Sequence, residues 1–195
     1  MFVSGRHIVA LSFVSLLFTG LAARDASAQV VGLKTGLQWS TLRSDGKVDP
    51  DITRKPGFLG GLYWEFGQRA IMGQLELLAG RTTFGNGNVK TDITSFEIPV
   101  LVRINFARAS KANIFVSAGG AFASRLRART VINGVKVDVK DQVEPYDLQW
   151  IVGAGTEIQR VLIDFRYTRG MRDIYVGGTT KVTTDRLGLS VGYGF

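Results

Sequence analysis

Three short stretches of this sequence carry residue types at spacings that could do chemistry. The first, GLSVG at residues 188–192, matches the G-x-S-x-G pattern in which an esterase holds its nucleophilic serine at a strand-to-helix turn. That mechanism needs a histidine to accept the serine proton, and the only histidine is His7. Because the stretch alternates as a strand does, it favours Ser190 as a small residue on an inward face.

The second stretch, GAG at residues 153–155, resembles the start of a dinucleotide-binding loop. The full G-x-G-x-x-G motif fails at Ile158, and no helical pattern follows. Alternate glycines in a strand more simply allow neighbouring side chains to pack closely. With no cysteine and one histidine, the chain also lacks thiol nucleophiles and the commonest metal ligands. The sequence therefore predicts no catalytic residue, no cofactor and no metal site.

The third stretch is RLRAR, in which Arg125, Arg127 and Arg129 would fall on one side of an extended chain. Guanidinium groups pair bidentately with phosphate, so such a cluster could contact lipopolysaccharide at a membrane rim. Arg125 is better interpreted as part of an interior charge network, which leaves Arg127 and Arg129 as candidate lipopolysaccharide contacts. The formal charge of +8 does not indicate a nucleic-acid partner, because no aromatic residues interleave a basic patch.

Charged residues also recur on one face of alternating segments, where they are flanked by glycine, alanine and serine. Unpaired charges in a narrow interior would be unfavourable, whereas opposite signs can neutralise each other through hydrogen bonds. Acidic and basic members balance, so we predict a charge network that fills an interior. Its predicted members are Lys34, Glu65, Glu76, Glu97, Arg103, Arg125, Glu157, Asp164, Arg166 and Arg186.

A two-residue hydrophobic period positions these charges. Eight segments, from QVVGLKTGLQW to LGLSVGYGF, each alternate an apolar face with the small and charged face, as β-strands do. Short connections follow the second, fourth and sixth segments, and long polar loops follow the others, at residues 41–56, 81–94, 127–146 and 171–183. We therefore predict an all-β fold, an eight-stranded antiparallel up-and-down transmembrane β-barrel with short periplasmic turns and long extracellular loops. Asn133-Gly134 should turn a hairpin that extends the fifth and sixth strands beyond the bilayer.

A soluble barrel such as a lipocalin could have the same number of strands. It would bury its apolar face and expose charge, whereas the small, charge-balanced face here suits a crowded lumen. The apolar face then meets lipid, and its aromatic residues near strand ends would form membrane girdles. These aromatics are Trp39, Trp64, Phe66, Phe106, Trp150, Tyr167, Tyr193 and Phe195.

The N-terminal region has the pattern of a secretory signal peptide. Arg6 and His7 precede an apolar run, and Ala26-Ser27-Ala28 supplies a small-residue cleavage site. The run is shorter than the roughly 20 residues that span a bilayer. We expect residues 1–28 to be the signal peptide and residues 29–195 to be an outer-membrane β-barrel domain of a Gram-negative bacterium.

Several segments in order carry a family resemblance: VGLKTGLQWSTL, FEIPVLVRINF, VGAGTEI, LIDFRYTRGMRDIY and DRLGLSVGYGF. Together they resemble the PorT-like outer-membrane β-barrel proteins over essentially all of residues 29–195. The resemblance implies an eight-stranded outer-membrane barrel. It also implies that the last strand, with Tyr193 and Phe195, resembles the signal read by the barrel-assembly machinery. A secretion role belongs to some relatives only.

These features favour a non-enzymatic outer-membrane barrel with a filled lumen, which acts through its extracellular loops as a structural, adhesion or secretion-associated component. Its expected partners are outer-membrane lipids including lipopolysaccharide, the barrel-assembly machinery, and a protein of unknown identity at the loops. The alternatives are a narrow small-solute channel, a soluble lipocalin-like periplasmic binding barrel, and an outer-membrane lipid-modifying enzyme.

Overall fold

The computed structural model describes residues 29–44, 47–48, 53–68, 70–86, 89–109, 112–132, 134–176 and 181–195. The predicted signal peptide, residues 1–28, lies outside these ranges. Within them, no helix is both long and apolar enough to cross a membrane.

Eight long strands form a closed antiparallel barrel. Each pairs with its neighbours in sequence, and the last pairs with the first, as in Gly32 opposite Gly194. This confirms the predicted fold. The long strands are β1 (Val30–Ser44), β3 (Thr53–Gln68), β4 (Ile71–Asn86), β5 (Val89–Ala109), β6 (Ala112–Ile132), β8 (Tyr146–Ile158), β9 (Val161–Gly170) and β10 (Val182–Gly194). Three short elements are β2 (Lys47–Val48), β7 (Val135–Asp138) and a 3-10 helix (Lys140–Gln142).

Burial alternates along the strands in the sense opposite to that of a soluble barrel. On β1, Leu33 is 54% exposed while its neighbour Lys34 is 3% exposed. On β9, Phe165 is exposed while Asp164 and Arg166 are buried. Apolar side chains therefore face outward and charged ones inward, which is the distribution of a barrel placed in a bilayer.

The loop predicted at residues 81–94 is instead a continuation of two strands. β4 and β5 stay paired up to Asn86 opposite Val89, so only residues 87–88 connect them. Threonines, Phe84 and Ile93 give this region strand propensity, which its polar residues concealed in the sequence. An ion pair also holds the extension, with Arg81 Nη2 lying 2.5 Å from Asp92 Oδ2.

The Asn133-Gly134 hairpin is confirmed by the pairing of Ile132 with Val135. Gly134 has φ of +85°, which favours glycine, while Asn133 lies outside the described residues. The hairpin adds β7 to β6 as a third strand above the barrel wall, next to the extension of β5. It extends the fifth strand but not the sixth, because the chain leaves the sheet between β7 and β8.

A β-bulge at Leu126 reverses the orientation of the arginines in RLRAR. Ser95 pairs with Arg125, but the adjacent Thr94 pairs with Arg127, so Leu126 is an extra residue on β6. Arg125 and Ala128 are buried on the inward side, whereas Arg127 and Arg129 are exposed. The prediction that the three arginines share one side of the strand is therefore wrong, because one inserted residue shifts the alternation.

The long-loop end of the barrel is closed by apolar side chains, which we term the mouth cap. The chain between β7 and β8 contributes Val143 and the chain after β9 contributes Ile174, joined by the backbone bond from Glu144 N to Ile174 O at 2.8 Å. The loops predicted as long and polar are therefore not wholly exposed, because the apolar side chains of these two residues are buried. The mouth cap consists of Leu42, Phe84, Ile93, Ala128, Val143 and Ile174.

Candidate functional site

The lumen below the mouth cap is filled by charged side chains that meet in three clusters. The lower cluster lies nearest the short turns and is centred on Arg103 of β5. Arg103 Nη1 lies 2.6 Å from Glu65 Oε1, and Nη2 donates to Glu157. Its Nε donates to Asn105 at 3.1 Å, and its guanidinium carbon lies 3.9 Å from the centre of the Phe115 ring. Four strands thus place one cation between two carboxylates and an aromatic face.

Gly155 belongs to this lower cluster for a steric reason. A Cβ at this position would lie 2.5 Å from Cζ of Phe115, which is closer than atoms can approach. The GAG stretch thus leaves room for the ring beneath Arg103, in agreement with the packing interpretation of those glycines.

The middle cluster joins Lys34, Glu76, Asp164 and Arg166. Lys34 Nζ lies 3.0 Å from Glu76 Oε1 and 2.6 Å from Asp164 Oδ2. Arg166 donates twice to Glu76, at 2.6 and 2.8 Å. Gln74 supplies a further hydrogen bond to Glu76 at 2.6 Å. Two cations and two carboxylates neutralise each other here, away from water.

The upper cluster lies under the mouth cap and is centred on Arg186. Arg186 binds both oxygens of Glu97, at 2.5 and 3.0 Å, and donates to the side-chain oxygens of Gln149 and Gln38. Arg125 lies beside this cluster. Its Nη1 donates to the backbone oxygen of Glu144 at 2.8 Å, and its Nη2 lies 3.3 Å from Asp147 Oδ2.

Every one of the ten residues assigned from the sequence to a charge network thus has an oppositely charged contact in the lumen. Sequence reasoning missed Asp147, which pairs with Arg125, because it borders the polar loop predicted at residues 127–146. The two-residue period could have found it, since Asp147 shares a face with Gln149 and Glu157 on β8. The neutral members were also missed, because amides and hydroxyls gave no charge signal: Gln38, Gln74, Ser95, Asn105 and Gln149.

The lumen offers little free space or reactive chemistry. A cavity of about 40 Å³ lies between the middle and upper clusters, room for a few water molecules. Ser190 is buried and its hydroxyl donates to the backbone oxygen of Asp164 at 3.4 Å rather than to a side-chain base. In the described ranges, no three histidine, cysteine or acidic side chains group as metal ligands. The arrangement neutralises charge and blocks the lumen.

Outward-facing charges surround the long-loop end above the apolar band. Arg43 donates to Asp185 at 2.8 and 2.9 Å on the β1 and β10 side. On β5, burial of Asp92 alone would raise the pKa of its carboxyl. Hydrogen bonds from Arg81 and Thr83 lower that pKa by more, so it lies below the ordinary value. The exposed Arg127 and Arg129 form no salt bridge with any residue of the described part of the chain.

Comparison of the sequence with family models finds a match over residues 31–176 to the outer membrane protein beta-barrel domain. No curated protein matches the chain.

Comparison of the structure finds small barrels of known structure. Neisserial surface protein A (NspA) is 12% identical with a TM-score of 0.53, over 88% of this chain and 100% of its own. The outer membrane enzyme PagL is 14% identical with a TM-score of 0.50, over 85% of this chain and 99% of its own. Ail, the attachment invasion locus protein of Yersinia pestis, is 16% identical with a TM-score of 0.48, over 85% of this chain and 98% of its own. At such identities, the likeness concerns the fold alone.

Proposed function

We propose that this chain, which belongs to the family of outer membrane protein beta-barrel domains, is a non-enzymatic outer-membrane protein. It acts through its extracellular surface. The long-loop end is extracellular in this fold and the short turns are periplasmic. The role that we propose is structural, adhesive or associated with secretion. One observation carries the proposal: the lumen is filled along its length, so only the loops and the outer wall are free to meet partners.

The blocked lumen argues against the channel alternative. A solute would have to pass the mouth cap, the bidentate pair of Arg186 and Glu97, the middle cluster and the fully buried Arg103. Each charged cluster is held together by internal ion pairs, so opening a path would separate opposite charges and leave them without partners. An eight-stranded barrel is also just wide enough for side chains to fill it.

The chemistry of the chain supports a non-enzymatic role. Residues 29–195 contain no histidine and no cysteine, so Ser190 has no imidazole to activate it. The likeness to the outer membrane enzyme PagL concerns the fold alone. It would support an enzymatic role only if this chain itself carried residues that could do lipid chemistry. Incubation of the refolded protein with lipopolysaccharide and phospholipid tests this alternative directly. We expect no release of fatty acid.

Four further assignments are part of this proposal. Residues 1–28 act as a signal peptide, and the chain belongs with the PorT-like members of the family. The barrel-assembly machinery reads Tyr193 and Phe195, whose rings pack edge to face on the outer wall at 6.0 Å. The outward face of β6 contacts lipopolysaccharide through one or both of its exposed arginines, Arg127 and Arg129.

Two measurements test the proposal. In a planar bilayer, the refolded protein should show no steady unitary conductance under conditions where an open porin conducts. In intact cells, a photo-crosslinker at Lys136 on β7 should capture extracellular partners, and one at Arg160 in a periplasmic turn should not capture the same ones. A reproducible open channel, or identical crosslinks from both positions, would overturn it.

A further inference from the structure

The wall of the barrel is interrupted next to the bulge on β6. Below the interruption, β6 pairs with β8 as far as Ser124 opposite Tyr146, and Arg125 N donates to Pro145 O at 2.8 Å. Above it, Val139 N donates to Ala128 O at 3.1 Å, and β7 pairs with β6. Between these bonds the chain leaves the sheet to form the 3-10 helix. The gap, which we term the notch, is a cavity of about 210 Å³.

The notch carries more positive than negative charge. Arg125, Arg127 and Lys140 line it, against the single carboxylate of Asp141, and Val143 and Pro145 supply an apolar wall. Arg125 is fixed at the back by Glu144 O and Asp147. Arg127 and Lys140 are exposed at the front and form no salt bridge within the described ranges. A fixed guanidinium behind two free cations is an arrangement that favours a compact, doubly charged anion.

Hydrogen bonds hold both sides of the notch. Asp138 Oδ1 accepts from Lys140 N at 3.0 Å, which fixes the start of the 3-10 helix. Val176 N donates to Gln142 O at 3.1 Å, which ties that helix to the segment after β9. Since these hydrogen bonds fix the walls, little further ordering is needed when an anion binds.

The notch lies at the height of lipid headgroups. Directly below it, Tyr146 is 48% exposed and stacks on Phe122 with ring centres 5.5 Å apart, and the adjacent Leu126 is 54% exposed. Outward aromatic residues of this kind mark the upper edge of the apolar band, where headgroups begin. The notch lies just above that edge and opens outward. The phosphates of the outer leaflet are therefore the anions nearest to it.

We propose that Arg125, Arg127 and Lys140 form a binding site in the notch for a phosphate monoester on the headgroup of an outer-leaflet glycolipid. This inference rests on the lipid contact in the proposed function. It assigns phosphate binding to Arg127 and not to Arg129. Arg129 lies outside the notch and has Asp92 and Asp138 as its cross-strand neighbours. It is therefore a matched control of the same residue type on the same face of the same strand.

Binding of purified rough lipopolysaccharide to the refolded full barrel in phospholipid nanodiscs tests the site. Arg127→Gln should weaken binding about ten-fold, and Arg127→Gln with Lys140→Gln about a hundred-fold, the effect of losing one and two charge-assisted hydrogen bonds. Arg129→Gln should change it less than about two-fold. Heat-dependent mobility in gel electrophoresis verifies that each variant is folded.

Two further probes identify the source of the phosphate. Dephosphorylated lipopolysaccharide should bind the native protein as weakly as intact lipopolysaccharide binds the double variant. Soluble glucosamine 1-phosphate should compete only at far higher concentration. Equal losses for Arg127→Gln and Arg129→Gln, or equal binding of the dephosphorylated lipid, would overturn the site, and tight binding of the soluble sugar phosphate would overturn the lipid source. None of these outcomes alters the conductance measurement, so the proposed function stands or fails separately.

Discussion

Arg103 is the shared partner of a fully buried carboxylate, Glu65, and a partly buried one, Glu157. In Arg103→Met, we expect the free energy of unfolding to fall by about 3–5 kcal/mol, because removing one member of a buried ion pair leaves its partner uncompensated. Urea unfolding in detergent micelles, followed by tryptophan fluorescence, measures the loss. Arg160→Met on an exposed turn is the control and should change stability by less than about 0.5 kcal/mol. An equally small change for Arg103→Met would mean that water solvates Glu65.

Phe195 and Phe106 form a natural pair for separating membrane anchoring from assembly. They are 66% and 67% exposed and both lie on the outer wall near the periplasmic end. Substitution of either residue by serine removes a similar interfacial contact. The burial of that contact stabilises the inserted barrel by at most about 1.5–3 kcal/mol. If the assembly machinery reads Phe195, Phe195→Ser should reduce outer-membrane insertion in cells, and Phe106→Ser should not.

Refolding into micelles provides the control for this pair, and both variants should refold with similar stability. Equal insertion of the two variants in cells would show that Phe195 is only an interfacial residue. Failure of Phe195→Ser in micelles as well would assign it a structural role.

Among individual residues, charge and alternation together were enough to predict the lumen positions. Lys34 and Arg166 stand on strands whose other face is plainly apolar, so their direction follows from the period. The partners of each charge could not be predicted, because the contact of Lys34 with Asp164 depends on the stagger of strands that are remote in sequence.

At the scale of elements, strand existence followed from the two-residue period, but strand length and register did not. The bulge at Leu126 adds one residue that no local pattern marks, and it decides which arginines face lipid. The mouth cap was missed because Val143 and Ile174 lie in predicted polar loops, and their burial arises only when the two loops meet.

The β4–β5 extension should depend on acidity through Asp92. Because hydrogen bonds from Arg81 and Thr83 hold the pKa of Asp92 below its ordinary value of 3.8, its contribution to stability is complete above that pH. The contribution is lost as the pH falls through the lower folded value. Amide exchange in the extension, corrected for its intrinsic pH dependence, should therefore rise below about pH 4 in the native protein.

The variant Asp92→Asn is the control for this pH dependence. It lacks the ionisable group, so its extension should exchange faster at neutral pH and show no further rise on acidification. Parallel pH profiles for the two proteins would contradict the role of this carboxylate.

At the scale of the whole molecule, the mouth cap is a separate layer that should open without unfolding the barrel. The chain has no cysteine, so a single one at the buried Ala128 reports opening through its labelling by an impermeant thiol reagent. Ile174→Ala should increase that labelling rate about thirty-fold or more, because it removes packing worth about 2–5 kcal/mol from the layer and each 1.4 kcal/mol changes the opening equilibrium about tenfold. Barrel stability should change far less.

Cysteines at two other sites control both the reagent and the orientation. One at Gly134 should label rapidly in whole cells, since the β6–β7 hairpin is extracellular, and one at Arg160 should not label. An unchanged rate at position 128 in Ile174→Ala would show that the layer opens only with the barrel, and the reverse pattern at positions 134 and 160 would invert the topology.

The seam between β1 and β10 has a kinetic consequence. Other neighbouring long strands join residues that are near in sequence, whereas the seam joins Gly32 to Gly194 across almost the whole barrel domain. Loop-closure entropy makes such a contact late to form. Until it forms, both edge strands carry backbone groups that hydrocarbon cannot satisfy. We therefore expect the open sheet to form in the headgroup region and to insert into the bilayer only as β1 pairs with β10. Thicker bilayers should then slow closure and insertion together.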